Sequence, residues 1–403
     1  MSKNNANKIF SYWATCPADI LLVIFRKLDT KSLLNTMFVN KYWQNIVEYY
    51  CQHFNLWDKM IDETINNKGL TFRDKSILSS RDIILTAQQW YNVINATVCL
   101  HHKYTFEVVR NICVHKDNLI VVTNNNVKYF NIENSKLLKI LNTTCLKYDE
   151  TSSLIVELSL SKGGVIGYNV LTVVNKLHKK EKCDCTQVKK IILFDITLFR
   201  VHLDCCYVID IKNVLWRYKA NKCEWDVKVM AKYYGNQNSI CGIHIHQEDV
   251  YVLLKRGDVL RVDIECKKFE KVFQLNIPMH YLDTKPYIFH TYSVLCAVSP
   301  EKQLQMHVQK GEEQTVVACP GLACVTEHGH ILLLGYEDGK IEIFITNNLL
   351  RNLWTPELRF YLQCYTKTST NQIIAMDVYE GSNCHHLFVA TDCNIYEFLI
   401  CDK

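Results

Sequence analysis

Ile331-Leu332-Leu333-Leu334-Gly335-Tyr336-Glu337-Asp338-Gly339-Lys340-Ile341-Glu342-Ile343-Phe344-Ile345 reads as two short strands around a turn. Asp338-Gly339 supplies residue types that tolerate the backbone of a tight hairpin. The same grammar recurs along the chain: 119–122 with 127–130, 207–209 with 214–216, 250–254 with 259–262, and 386–390 with 395–399. Their turns are Asn124-Asn125-Asn126, Lys212-Asn213, Arg256-Gly257-Asp258 and Asp392-Cys393-Asn394. From about residue 96 onward the apolar period is close to two, the period of half-buried strands.

The hairpins are evenly spaced. The first apolar residue after each turn is Val127, Val214, Val259, Ile341 or Ile395. Two of the four gaps are near double steps, so the unit is about 45 residues, the length of a propeller blade. The two skipped units centre near residues 166 and 304, where weak alternation occurs in 165–173 and 304–308. Seven such units predict a seven-bladed β-propeller over residues 96–403. A Trp-Asp dipeptide is missing from every expected strand end, and Gly163-Gly164 stands alone, which argues against a kelch array. A pair of β-sandwiches or another repeat array stays open on this pattern alone. The last unit, 373–378, 386–390 and 395–400, is one strand short of a blade and would leave a bare edge. The alternating stretch 98–106 is expected to fill it, making 96–107 the closing strand.

The chain has 403 residues, 48% hydrophobic and 22% charged, with only 13 glycines and 6 prolines, so it is globular and long enough for two domains. A net charge of +5 is too small to imply a nucleic-acid partner. The most apolar long stretch, 191–211, contains Asp195, Arg200, Asp204 and Asp210, so no membrane span is expected. Nineteen cysteines without a secretory signal or a CxxC pair predict reduced, core-filling thiols and a cytoplasmic or nuclear protein. Cys384-His385-His386 is a candidate surface ligand cluster, set against a plain loop before a strand; no metal or cofactor is expected.

Before the strands the period is helical. Pro17 opens a stripe of Ile20, Leu21, Ile24, Phe25 and Leu28. Asp29 or Thr30 can cap a second helix carrying Leu33, Leu34, Met37 and Phe38, and Asn40 a third with Trp43, Ile46 and Val47. Three such helices cannot bury that apolar surface among themselves, which leaves either a docking face or a cap on the rest of the chain.

These residues carry a resemblance. Pro17-Ala18-Asp19-Ile20-Leu21-Leu22-Val23-Ile24-Phe25-Arg26-Lys27-Leu28-Asp29, then Ser32-Leu33-Leu34, Val39-Asn40-Lys41-Tyr42-Trp43 and Ile46, resemble the F-box. The departures are Cys16 for leucine, Asp19 for glutamate and Asn40 for cysteine; Leu56-Trp57 resembles the pair that often follows. The resemblance covers about a tenth of the chain. It implies a flexible N-terminus at 1–14, a three-helix F-box at 15–50 and a helical linker at 51–95 before the propeller. It also implies docking on the Skp-type adaptor of a cullin-RING ubiquitin ligase. Pro17, Ile20, Leu21, Ile24, Phe25, Leu28, Leu33, Val39 and Trp43 fall where the family places adaptor contacts or the core beneath them. An F-box before a WD-like propeller implies a substrate receptor, the alternative being a propeller scaffold without ligase function.

No catalytic motif is present. Gly335 to Lys340 resembles a phosphate loop but is one residue short, with Ile341 where Ser or Thr belongs. GxSxG, GxGxxG and HExxH are absent. In the propeller, the hairpin turns carry Lys212, Lys255, Arg256 and Asp338, the candidate contacts for a protein target. The basic run Lys176 to Lys182 is read as a solvated loop, with contact to an acidic or phosphorylated target as the alternative.

Overall fold

The computed structural model describes residues 16–61, 79–163, 166–177, 189–222, 224–235, 240–246, 249–274, 287–291, 294–298, 303–308, 314–328, 331–345, 355–362, 372–381 and 384–401. The chain divides into two compact units, one of residues 1–70 and 78–87, the other of 71–77 and 88–403.

The first unit is helical. Helix α1 (Ala18–Phe25) starts behind Pro17, whose carbonyl accepts from the Ile20 and Leu21 amides. Helix α2 (Thr30–Thr36) is capped by Asp29, which accepts from the Ser32 amide at 2.8 Å. Asn40 caps α3 (Lys41–His53) in the same way through the Trp43 amide at 2.9 Å. Two more helices follow, α4 (Leu56–Ile61) and α5 (Ser80–Tyr91). The core is built from Leu21, Phe25, Leu33, Leu34, Met37, Ile46, Val47, Tyr50 and Cys51, joined by Met60 and Ile84. Phe25 and Trp43 meet edge to face, centroids 5.6 Å apart. The boundary expected at 50/51 falls inside α3, because Val47, Tyr50 and Cys51 continue one buried stripe. The break expected at 66–69 lies outside the described residues.

The second unit is built of sheets. Its described residues form seven four-stranded antiparallel sheets, at 109–141, 145–194, 196–232, 240–274, 287–318, 322–361 and 375–401, the last completed by Thr97–Thr105. The first strands touch in succession. Val109–His115 meets Cys145–Glu150, and Ile196–His202 meets Ile240–His246. From there contacts run to Tyr287–Thr291, Leu322–His328 and Ala375–Glu380, which returns to Val109–His115. Ile166–Asn175 bridges the second and third sheets. The succession returns to its start, the arrangement of a β-propeller. Each hairpin read from the sequence joins the second and third strands of its sheet. In the second sheet the third strand begins at Ile166, and in the fifth Gln303–Val308 covers residue 304.

Thr97–Thr105 pairs antiparallel with Asn394–Cys401, Val98 opposite Ile400 and Tyr104 opposite Ile395, with an irregularity between Leu100 and His102. Between the sixth and seventh sheets a core of Ile331, Leu333, Ile341, Ile343, Val378 and Leu387 surrounds Trp90 and Val93. The Trp90 indole donates to Glu380 Oε1 at 2.9 Å and stacks on His385 at 4.4 Å. His328 Nε2 meets the same Glu380 oxygen at 2.8 Å.

Three expectations change here. Cys384 and Cys401 form a disulfide across adjacent strands, so the thiols are not all reduced. Cys384-His385-His386 is no surface cluster. Strand alternation sends neighbours to opposite faces, burying His385 at Trp90 while His386 Nδ1 meets Glu397 at 2.7 Å. Lys176, in the bend just after Ile166–Asn175, is not a freely solvated cation: its ammonium lies 2.7 Å from Glu150 and donates to the Thr151 carbonyl at 2.8 Å. Residues 178–185 of that basic segment lie outside the described residues.

Candidate docking surfaces

The helical core sorts the nine residues proposed for adaptor docking. Leu21, Phe25 and Leu33 are buried in it, while Ile24, Leu28 and Trp43 are half-buried against it. Pro17, Ile20 and Val39 face solvent. The most exposed apolar side chains include two that the sequence reading passed over or misplaced: Val23 at 60% and Phe38 at 70%, beside Ile20 at 52% and Val39 at 56%. Val23 lies three residues after Ile20, one helical turn along the same face of α1. Its spacing alone puts Phe38 on the second helix's stripe. Helix α2 ends at Thr36, so Met37 turns inward and Phe38 outward. Tyr42, also exposed, donates its hydroxyl to the Cys16 carbonyl at 3.0 Å. The face is therefore made by one turn of α1 and the α2–α3 connection.

The sheets present a different surface. The turns between second and third strands lie beside the connections from sheet to sheet, as backbone bonds show. Ile211 N donates to Asp195 O, Tyr233 N to Asn213 O, Glu337 N to Gly321 O, and Leu362 N to Gly339 O. The four candidate target contacts on these turns are not equivalent. Lys212 and Lys255 are exposed. Arg256 forms an ion pair with Asp258, a carboxylate only 2% exposed that Lys271 also holds at 2.6 Å. Burial opposes ionisation of Asp258, but these two cations outweigh it and keep its carboxyl below the usual range. Asp338 caps its own turn by accepting from the Lys340 amide at 2.9 Å. Arg256 and Asp338, both exposed, are thus engaged within their own turns, and the two lysines are the freer cations.

Residues 13–55 match the F-box domain family. The chain carries an F-box domain followed by a β-propeller-like arrangement of sheets. F-box domains bind Skp-type adaptors in SCF complexes. No curated protein matches the chain. Among solved structures it is similar to the computationally designed Ika8 protein, 9% identical, TM-score 0.47, covering 75% of this chain and 98% of that one. It is also similar to Kluyveromyces lactis Hsv2 with complete loop 6CD, 9% identical, TM-score 0.47, covering 70% and 90% of the two chains. KlHsv2 with loop 6CD replaced by a Gly-Ser linker is 10% identical, with a TM-score of 0.46 and the same coverage.

Within the F-box, every exposed apolar residue named above lies inside the matched span. Outside it, the segment Gly335 to Lys340 is a hairpin turn, with Gly339 at φ +83°. The Lys340 ammonium sits 3.7 Å above the Tyr336 ring, and Glu342 accepts from Tyr336 at 2.6 Å and Arg359 at 2.8 Å. That lysine is engaged by its own sheet. Burial pushes the thiols of Cys51, Cys205 and Cys241 up to about 12, so they are protonated and poor nucleophiles at neutral pH. Among the described residues no group of three metal-ligating side chains converges. No helix among them is long and apolar enough to cross a membrane.

Proposed function

We propose that this chain is the substrate-recognition subunit of an SCF-type ubiquitin ligase. The F-box docks a Skp-type adaptor, and a seven-bladed propeller, one blade per sheet, binds the protein to be ubiquitinated. The role is non-catalytic: the receptor raises the target's effective concentration beside the ubiquitin-loaded enzyme. The observation that supports it best is the exposed face of Ile20, Val23, Phe38 and Val39 inside the F-box match, backed by a packed helical core. Apolar residues held outward in that way suit a partner that covers them. Buried Leu21, Phe25 and Leu33, with half-buried Ile24, Leu28 and Trp43, supply the scaffold rather than the contact. The reading places this protein in the cytoplasm or nucleus, where such ligases work, and where a disulfide such as Cys384–Cys401 is uncommon. Co-expression with a Skp-type adaptor tests it. The two chains should elute as one complex, and a chain lacking residues 13–55 should elute alone. Separate elution of the full-length chain would refute the proposal.

A further inference from the structure

Three separated segments converge at the edge of the third sheet. Phe194 precedes Asp195, whose carbonyl accepts from Ile211 N at 2.9 Å. Asn213, ending the next turn, accepts from Tyr233 N at 3.0 Å. These two backbone bonds gather Phe194, Ile211, Lys212, Lys232 and Tyr234, all exposed, on one stretch of surface. Tyr234 is 85% exposed, with the Lys232 ammonium 5.1 Å from its ring centroid. The carboxylate of Asp210 beneath is fully used, accepting from the Lys212 and Val214 amides and the Trp216 indole. Asp195 is then the one acidic side chain on these segments that faces solvent, against two lysines, with Lys255 on the corresponding turn of the next sheet.

An exposed aromatic and aliphatic cluster rimmed by cations has the composition of a protein-binding hot spot, where aromatic anchors carry most of the energy. Other exposed large apolar side chains near this edge, among them Val108, Leu160 and Tyr361, come from separate segments. We infer that the third-sheet patch of Phe194, Ile211, Lys212, Lys232 and Tyr234 binds an acidic protein segment carrying apolar or aromatic side chains. The lysines select for acidic residues, and the Phe194–Ile211–Tyr234 surface takes the apolar ones. The inference rests on the propeller being the target-binding part. The test needs neither adaptor nor target, so the two can fail separately.

The test measures full-chain protein at physiological salt against three surface-bound polymers: poly(Glu,Tyr), poly(Glu) and poly(Lys,Tyr). Poly(Glu,Tyr) should bind best, poly(Glu) several-fold more weakly and poly(Lys,Tyr) not at all. Tyr234→Ala should weaken poly(Glu,Tyr) binding about tenfold, a typical anchor effect. Lys212→Glu with Lys232→Glu should weaken it at least as much. Tyr361→Ala, an exposed aromatic at the sixth sheet, serves as control and should change nothing. All four substituted side chains are exposed, and unchanged melting temperatures will show that the variants fold. Equal losses from Tyr361→Ala and Tyr234→Ala would overturn the assignment, as would equal binding of poly(Lys,Tyr). Competition by a single-stranded oligothymidylate as strong as that by free poly(Glu,Tyr) would also overturn it, in favour of a nucleic-acid surface.

Discussion

Replacing Trp90 with phenylalanine isolates one buried bond. The indole is 1% exposed, and its N–H points at a Glu380 oxygen 2.9 Å away, which His328 also meets. Phenylalanine keeps a ring against His385 but offers no donor. A hydrogen bond to a charged partner contributes roughly 1.5–3 kcal/mol. The smaller ring leaves a gap that costs about 1 kcal/mol more. With an unfolding entropy near 2.1 cal/mol/K per residue over roughly 300 residues, a loss of about 3 kcal/mol lowers the melting temperature by about 5 °C. The double-mutant cycle with Glu380→Gln separates bond from gap. In that background the lost bond is neutral, so the Trp90→Phe cost should shrink by at least about 1 kcal/mol. Thermal unfolding of the four proteins, followed by circular dichroism, reads this directly. The pH dependence has a definite sign. Burial pushes the Glu380 carboxyl up, but His328, His385 and the indole N–H outweigh it, and its pKa lies below the ordinary 4.5. A carboxyl depressed on folding stabilises above its unfolded pKa and loses that contribution as pH falls. The coupling should therefore decline as pH falls below 4.5. Equal melting shifts in both backgrounds at pH 7 would refute the reasoning.

Other expectations follow from the same contacts. Ile20→Asp with Val39→Asp should weaken adaptor binding about 30-fold or more, since each side chain still has about half of its roughly 1.5–3 kcal/mol of burial to gain. Calorimetry against the adaptor checks this, and unchanged affinity would discard the exposed face as the contact. Leu21→Ala, by contrast, should lower the stability of the helical unit by about 2–5 kcal/mol through the cavity it leaves. Reducing Cys384–Cys401 should destabilise the sheets by about 3 kcal/mol, the loop-closure value for a loop of this length. Cys384→Ser should make the melting temperature insensitive to dithiothreitol. Removing 394–401 should expose Thr97–Thr105 as a bare edge and unfold the sheets together, visible as loss of the cooperative melting transition.

The hairpins were readable because two local signals coincide in each, alternation and a turn such as Asp338-Gly339. Ile166–Asn175 was harder, since its alternation is weak and the spacing of the other hairpins had to point to it. The F-box was readable from residue types at fixed spacing, but its outer face was not. The stripe Ile20-Leu21-Ile24-Phe25-Leu28 is wider than one helix contact, and only packing decides that Phe25 turns in while Ile20 turns out. Trp90 and Glu380 lie 290 residues apart, so no local pattern announces their bond. Cys384 and Cys401 were hidden for another reason: with nineteen cysteines, pairing is decided by strand register, here placing the two opposite each other. The patch at the third sheet escaped because its residues come from three segments, each an ordinary turn or strand end.

The pairing of Thr97–Thr105 with Asn394–Cys401 has a consequence for synthesis. Thr97 and its partner Cys401 are separated by 304 residues. At ribosomal rates of roughly 5–20 residues per second, the early strand waits some tens of seconds for its mate. During that interval every sheet but the last can assemble from neighbouring segments, while Thr97–Thr105 has no permanent neighbour. A strand waiting in that state can attach to the wrong sheet or to another nascent chain. Its side chains suit the delay: His101, His102 and Lys103 make it a poorer template for aggregation than an aliphatic strand would be. The seventh sheet gains its fourth strand only after Asn394–Cys401 has been made, so a ribosome stalled before that point leaves Thr97–Thr105 without its partner.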